Sequence, residues 1–123
     1  MTTHQSIIGN HYINGSFVCN KDSESFDSIN PATGEVVGTF PEASIPEVES
    51  AYQFARDSFH GWKKYSRVKR AEYFLTLANL VEQRREEIAE AITLETGKVY
   101  NESIAEVNEA LHMAQYAFST GRM

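Results

Sequence analysis

The chain has 123 residues, 41% of them hydrophobic and 23% charged, with a formal net charge of −6. Such a length holds one ordinary domain, and the composition is that of a folded chain rather than a disordered one. A phosphate footprint needs clustered Lys and Arg, whereas eleven basic residues here are scattered among seventeen acidic ones, so no nucleic-acid partner is expected.

Cys19 is the single cysteine, so an intramolecular disulfide and a cysteine-based metal site are excluded and a cytoplasmic setting is expected. Residues 1–9 carry neither a basic n-region nor a long apolar run, so no signal peptide is expected. No window approaches the roughly 18 apolar residues that a membrane span requires.

In chain order, His11-Tyr12-Ile13-Asn14-Gly15-Ser16-Phe17-Val18 reads as a hairpin over residues 11–18. Asn-Gly supplies the two residues tolerant of φ > 0 that a two-residue type I′ turn needs. A polar connector, Lys21 to Ser25, leads to a second hairpin over residues 26–40. Its turn is Pro31-Ala32-Thr33-Gly34: proline fixes φ at the first corner and Gly34 takes the left-handed position.

Four helices follow, expected over residues 45–65, 67–83, 84–96 and 99–120. Ser44-Ile45-Pro46-Glu47 is a capping-box pattern with proline in the first turn. Val48, Ala51, Tyr52, Ala55, Phe59 and Trp62 then fall on one helical face. Ser66 caps the second helix, whose apolar set is Val68, Ala71, Phe74, Leu75, Ala78 and Val81. The charged run from Glu82 to Glu87 reads as a solvated helix junction rather than an interaction patch. Ile88, Ala91 and Ile92 carry the third helix to Gly97.

Ile104, Val107, Leu111, Ala114 and Phe118 form the apolar face of the last helix, with Ala110 and Ala117 beside it and Gly121 after it. An arc this broad and alanine-rich suits packing on more than one side. Part of it is expected to meet a partner outside these residues.

In order and spacing, these elements resemble the N-terminal segment of the NAD(P)-dependent aldehyde dehydrogenase superfamily, from about Tyr12 to Arg122. Tyr-Ile-Asn-Gly at residues 12–15 is similar to that family's opening hairpin, and Asn-Pro-Ala-Thr-Gly-Glu at residues 30–35 to its second. The pattern from Ser44 through Trp62, Arg70, Leu75 and Arg84 to Glu95-Thr96-Gly97-Lys98 follows in the family's order, as do Glu106-Val107 and Tyr116-Ala117. Val99 departs from the proline usual after Gly-Lys, and Phe17 from the tryptophan common after the first turn. Both bear on the subfamily.

The resemblance implies an α/β enzyme in which residues 1–123 are the incomplete start of a Rossmann-like coenzyme-binding domain. By themselves they are an α+β piece, two hairpins followed by four helices. It also implies oxidation of an aldehyde to a carboxylic acid. A cysteine thiolate attacks the aldehyde, hydride passes to NAD or NADP, and a glutamate-activated water hydrolyses the thioester. An asparagine and a backbone N–H hold the oxyanion.

All those positions lie beyond residue 123 in the family, so no catalytic or cofactor-binding residue is assigned here. The chain alone is expected to be inactive and to bind no cofactor. Cys19 does not match the family's nucleophile and reads as a plain thiol. Gly34 and Gly38 belong to a hairpin, not to a phosphate loop opening a helix. His4, His11, His60 and His112 lack ligand-like spacing and are expected to be solvent-exposed or ordinarily hydrogen-bonded.

Two sites come from the resemblance. A monovalent cation is implied between the main-chain carbonyl of Ile29 and the carboxylate of Glu95, the alternative being that Glu95 faces solvent or caps a backbone N–H. A substrate tunnel is implied along the last helix at Asn108, Leu111 and His112, the alternative being surface or core packing. The implied partners are an aldehyde, the remainder of the same polypeptide or another subunit, and further copies in a homo-oligomer. A non-catalytic interaction module, or a decayed gene product that keeps the scaffold, is the competing reading.

Overall fold

A computed structural model describes residues 7–18 and 22–123, and the chain divides into two compact units, Met1–Trp62 and Lys63–Met123. The first contains β1 (Ile7–Ile8), β2 (His11–Ile13), β3 (Ser16–Val18), β4 (Ser25–Ile29), β5 (Val36–Pro41) and α1 (Ile45–Trp62). The second contains α2 (Arg67–Gln83), α3 (Arg85–Thr96) and α4 (Tyr100–Arg122).

β2 and β3 pair antiparallel with Ile13 opposite Ser16. Asn14 and Gly15 between them both have positive φ, 52° and 77°, the signature of a type I′ turn. Tyr12 faces Phe17 across the ladder with ring centroids 5.1 Å apart, edge to face. Cross-strand aromatic pairs of this kind stabilise a short hairpin.

The second turn is tighter in its hydrogen bonding than a proline–glycine corner. Asn30 organises it: Oδ1 accepts from the Ala32 N–H at 2.9 Å, its carbonyl accepts from the Gly34 N–H at 2.8 Å, and its own N–H donates to the Glu35 carbonyl at 2.9 Å. An asparagine side chain that bonds two residues on mimics a backbone turn. These bonds satisfy a buried polar residue, since Asn30 is only 9% exposed.

β4 and β5 then pair antiparallel, Phe26 stacking on Phe40 at 5.9 Å, with a bulge between Ser28 and Ile29. β1 adds a strand that the sequence pattern does not reveal. It runs parallel to β5, Ile7 beside Gly38, giving a sheet of order β1-β5-β4. Two residues are too few to show a period.

α1 opens on the capping box. The Ser44 N–H and hydroxyl donate to Glu47 Oε2 at 2.8 and 2.7 Å. The helix stops at Trp62 rather than at residue 65 and buries none of its side chains. The link to α2 begins there because Ser66 leaves helical geometry to accept the Lys69 N–H at 3.1 Å as N-cap.

α4 is the spine of the second unit, packing against both α2 and α3. Ser103, Val107, Leu111 and Ala114 form its buried stripe, at steps of four, four and three. α2 contributes Ala71 and Ala78, with Val81 beside the cluster of Ala78, Leu111 and Ala114. α3 contributes Ala89 and a hydroxyl pair, Thr93 Oγ1 to Ser103 Oγ at 2.8 Å.

Gly121 differs from its reading as a residue beyond the helix, for α4 runs to Arg122. A Cβ at Gly121 would lie 2.8 Å from the Ala71 Cβ, and the Gly121 carbonyl accepts from Arg67 Nη1 at 3.3 Å. The glycine is a contact surface rather than a stop. Arg84 likewise lies outside the third helix. It forms the break between α2 and α3, its guanidinium donating to both carboxylate oxygens of Glu87.

Two outcomes test this packing. Ala71→Leu, which overfills the approach to Gly121, is expected to cost about 1–3 kcal/mol in urea denaturation. At the α1 cap, hydrogen bonds from the Ser44 hydroxyl and N–H hold the Glu47 carboxyl below the ordinary carboxylate range. That stabilisation is present above the ordinary carboxylate pKa and is lost as pH falls through the lowered value. A carbon-detected titration should give Glu47 a higher midpoint in Ser44→Ala than in the unaltered chain.

Candidate functional site

α4 is two-sided. At about 100° per residue, its buried stripe leaves Asn108 and His112, one turn apart, on the opposite flank. Asn108 is half-buried and His112 exposed. Leu111 lies between them in sequence but belongs to the other side, where it is 9% exposed and packs with Ala78 and Ala114. Two of the three residues expected along a substrate path thus share an accessible flank, and the third seats the helix.

The start of this helix is held in three ways. Gly97 ends α3 in the left-handed conformation, and its N–H donates to the Thr93 carbonyl at 3.0 Å. Lys98 Nζ pairs with Glu106 Oε1, tying the connection to the second turn of α4. Thr93 and Ser103 share a hydroxyl hydrogen bond, and Ser103 is fully enclosed. None of these contacts is conspicuous from helical periodicity, because Ser103 is a polar residue on an apolar face.

Glu95 lies exposed in the last turn of α3. Carbonyls at a helix C-terminus carry partial negative charge, so a carboxylate there adds to a field that attracts cations. Carboxylate and carbonyl oxygens are the donors a hard cation prefers. Ile29 is the last residue of β4, at the bulge. It belongs to the first unit and Glu95 to the second.

Among the described residues no group of three or more His, Cys, Asp or Glu gathers. His11 departs from its expected state: its Nε2 is enclosed and finds no hydrogen-bond partner among the described residues. The side chain is drawn inward beside Asn10, Phe26, Phe40, Pro41 and Glu42, which with it line a surface hollow of about 460 Å³. Position in a three-residue strand gave no sign of this. Cys19 and His4 lie outside the described residues.

Residues 17–123 match the family model described as the aldehyde dehydrogenase family. The chain belongs to this family. It is 32% identical over 117 residues to malonate-semialdehyde dehydrogenase 1 of Geobacillus kaustophilus, covering 95% of this chain and 24% of that protein. Over 107 residues it is 36% identical to the malonate-semialdehyde dehydrogenase of Bacillus velezensis, covering 87% and 22%.

Its fold is similar to that of an NAD-dependent aldehyde dehydrogenase from Sinorhizobium meliloti, with a TM-score of 0.87 and 29% identity over 94% of this chain and 24% of that one. The chain therefore spans about a quarter of the length of these aldehyde dehydrogenases. Its hairpins and four helices are an α+β part of that architecture. No helix among the described residues is long and apolar enough to cross a membrane.

Ser103→Ala removes one partner of a buried hydroxyl pair and strands the other. It is expected to cost about 1–3 kcal/mol in denaturant unfolding. The loss should be matched by faster amide exchange in the first two turns of α4, read by hydrogen-exchange mass spectrometry.

Proposed function

We propose that this chain forms the N-terminal part of the coenzyme-binding domain of an NAD(P)-dependent aldehyde dehydrogenase, which oxidises an aldehyde to a carboxylic acid through a cysteine thioester. The family match over residues 17–123 carries this reading. The reacting cysteine, the water-activating glutamate and the cofactor loop would come from polypeptide other than these residues. When bound, the nicotinamide cofactor supplies the hydride acceptor. The Sinorhizobium neighbour's NAD dependence favours NAD over NADP.

Within that enzyme, the role of these residues is to shape and position. Asn108 and His112 would wall the aldehyde's path from the accessible flank of α4, with Leu111 fixing the helix behind them. An amide and an imidazole there would favour a polar or acidic aldehyde over a purely apolar one. The Ile29 carbonyl and the Glu95 carboxylate would hold a monovalent cation. Assembly as a homo-oligomer follows from the family resemblance, and a cytoplasmic setting fits the single cysteine. A non-catalytic interaction module is the second reading, supported by α1, which buries none of its own side chains.

The test is a chimera in which these 123 residues replace the matching quarter of the Geobacillus malonate-semialdehyde dehydrogenase. It should reduce NAD+ when given aldehyde, whereas the chain alone should not. Asn108→Ala should change the kcat/KM ratio between a carboxylate-bearing and an uncharged aldehyde by roughly threefold to tenfold. An unchanged ratio removes Asn108 from the path, and a well-folded, inactive chimera favours the interaction module.

A further inference from the structure

α2 is apolar on two sides, and the side it buries is the smaller. Toward α4 it presents Ala71 and Ala78, the two residues of the helix that are buried. Its bulky side chains remain outside: Tyr73, Phe74, Leu75, Leu77 and Leu80 are each between 39% and 49% exposed. At about 100° per residue, the positions of Tyr73, Leu77 and Leu80 centre about 140° round the helix from the two alanines. Steps of four and three make them one continuous stripe. Tyr65 stacks on Tyr73 at 6.5 Å and lengthens the apolar surface past the N-cap.

Apolar surface left this continuous on a helix marks a contact. Small residues on one side let α2 approach α4 closely, as the Ala71–Gly121 contact shows. Large residues on the other would fill the space beneath a further layer. The relatives supply material for that layer, since this chain spans about a quarter of their length.

We propose that the Tyr73–Leu77–Leu80 stripe of α2 is an internal docking face, covered by an apolar surface of the remaining three-quarters of an aldehyde dehydrogenase polypeptide. The proposal rests on the family reading above and names the partner that it requires. α2 is then the middle layer of a stack, with α4 on its small-residue side and later polypeptide on its large-residue side.

The experiment compares Leu77→Gln/Leu80→Gln in the chain alone and in the Geobacillus chimera, both substitutions being compatible with a helix. In the chain alone the pair should leave helical circular dichroism and the thermal midpoint unchanged and should lower 1-anilinonaphthalene-8-sulfonate fluorescence. In the chimera it should lower the midpoint by more than about 4 °C and raise dye fluorescence. An unmoved chimera midpoint would mean that the stripe faces water, and overturns the proposal. So does an equal fall in the chain alone, which would place the stripe inside these residues' own packing. A dimer of the chain alone that the substitutions dissolve, seen by sedimentation, makes a second copy the occupant and also overturns it. So does an unsubstituted chimera that fails to fold. A folded but inactive chimera instead counts against the enzymatic reading and leaves the midpoint comparison valid.

Discussion

Close approach along α4 is the constraint on which the second unit depends. Its buried stripe runs Ser103, Val107, Leu111 and Ala114, and Gly121 meets Ala71 where no larger residue fits. α2 and α3 reach this spine through Ala71, Ala78 and Ala89. Small residues on both sides of a helix contact allow the backbones to come near, at the expense of the apolar area each residue hides. Of the six buried apolar residues among those described, four are alanine. Burial of a methyl contributes far less than burial of a leucine. Geometry is therefore specified tightly by a core that stabilises weakly, and the larger side chains are left for contacts elsewhere.

The first unit follows a different logic. There, backbone conformation is set by hydrogen bonds and turn chemistry rather than by burial. Asn14-Gly15 fixes one register, Asn30 fixes the next turn through its own hydrogen bonds, and Ser44 with Glu47 starts α1. Phe26 on Phe40 and Tyr12 on Phe17 add cross-strand pairs, yet three of these four rings stay more than half exposed. Strong local rules place the elements, and the apolar faces of those elements are mostly still uncovered.

That division explains what was legible in the sequence. The type I′ turn, the capping box, the Ser66 cap and the stop at Gly97 are local, and each was readable from two to four residues. β1 was not, since a two-residue strand has no period and its partner residues lie 31 positions away. Gly121 was misjudged because a glycine near a helix end signals a cap unless the opposing Ala71 is known. The apolar set read for α2 contains Ala71 and Ala78, which form its contact, together with Phe74 and Leu75, which stay more than a third exposed. Periodicity finds a face but cannot say which of two apolar faces meets a neighbour. At the candidate site, the family resemblance grouped Asn108, Leu111 and His112 along one helix, and only the packing of α4 divides them between two flanks.

That division links the core to the candidate site. Asn108 and His112 are carried by the helix that Leu111 and Ala114 press against α2 and that Ser103 ties to α3. A helix surface is rigid only as far as its buried side is filled, because interiors transmit small changes in volume. A change of size at Leu111 would therefore move both polar side chains together, by a shift of α4, without touching either. The same reasoning extends to α2: if its outer stripe is covered, α4 is clamped from behind by two layers rather than one. Precision on the accessible flank of α4 is then inherited from packing on the hidden sides of both helices.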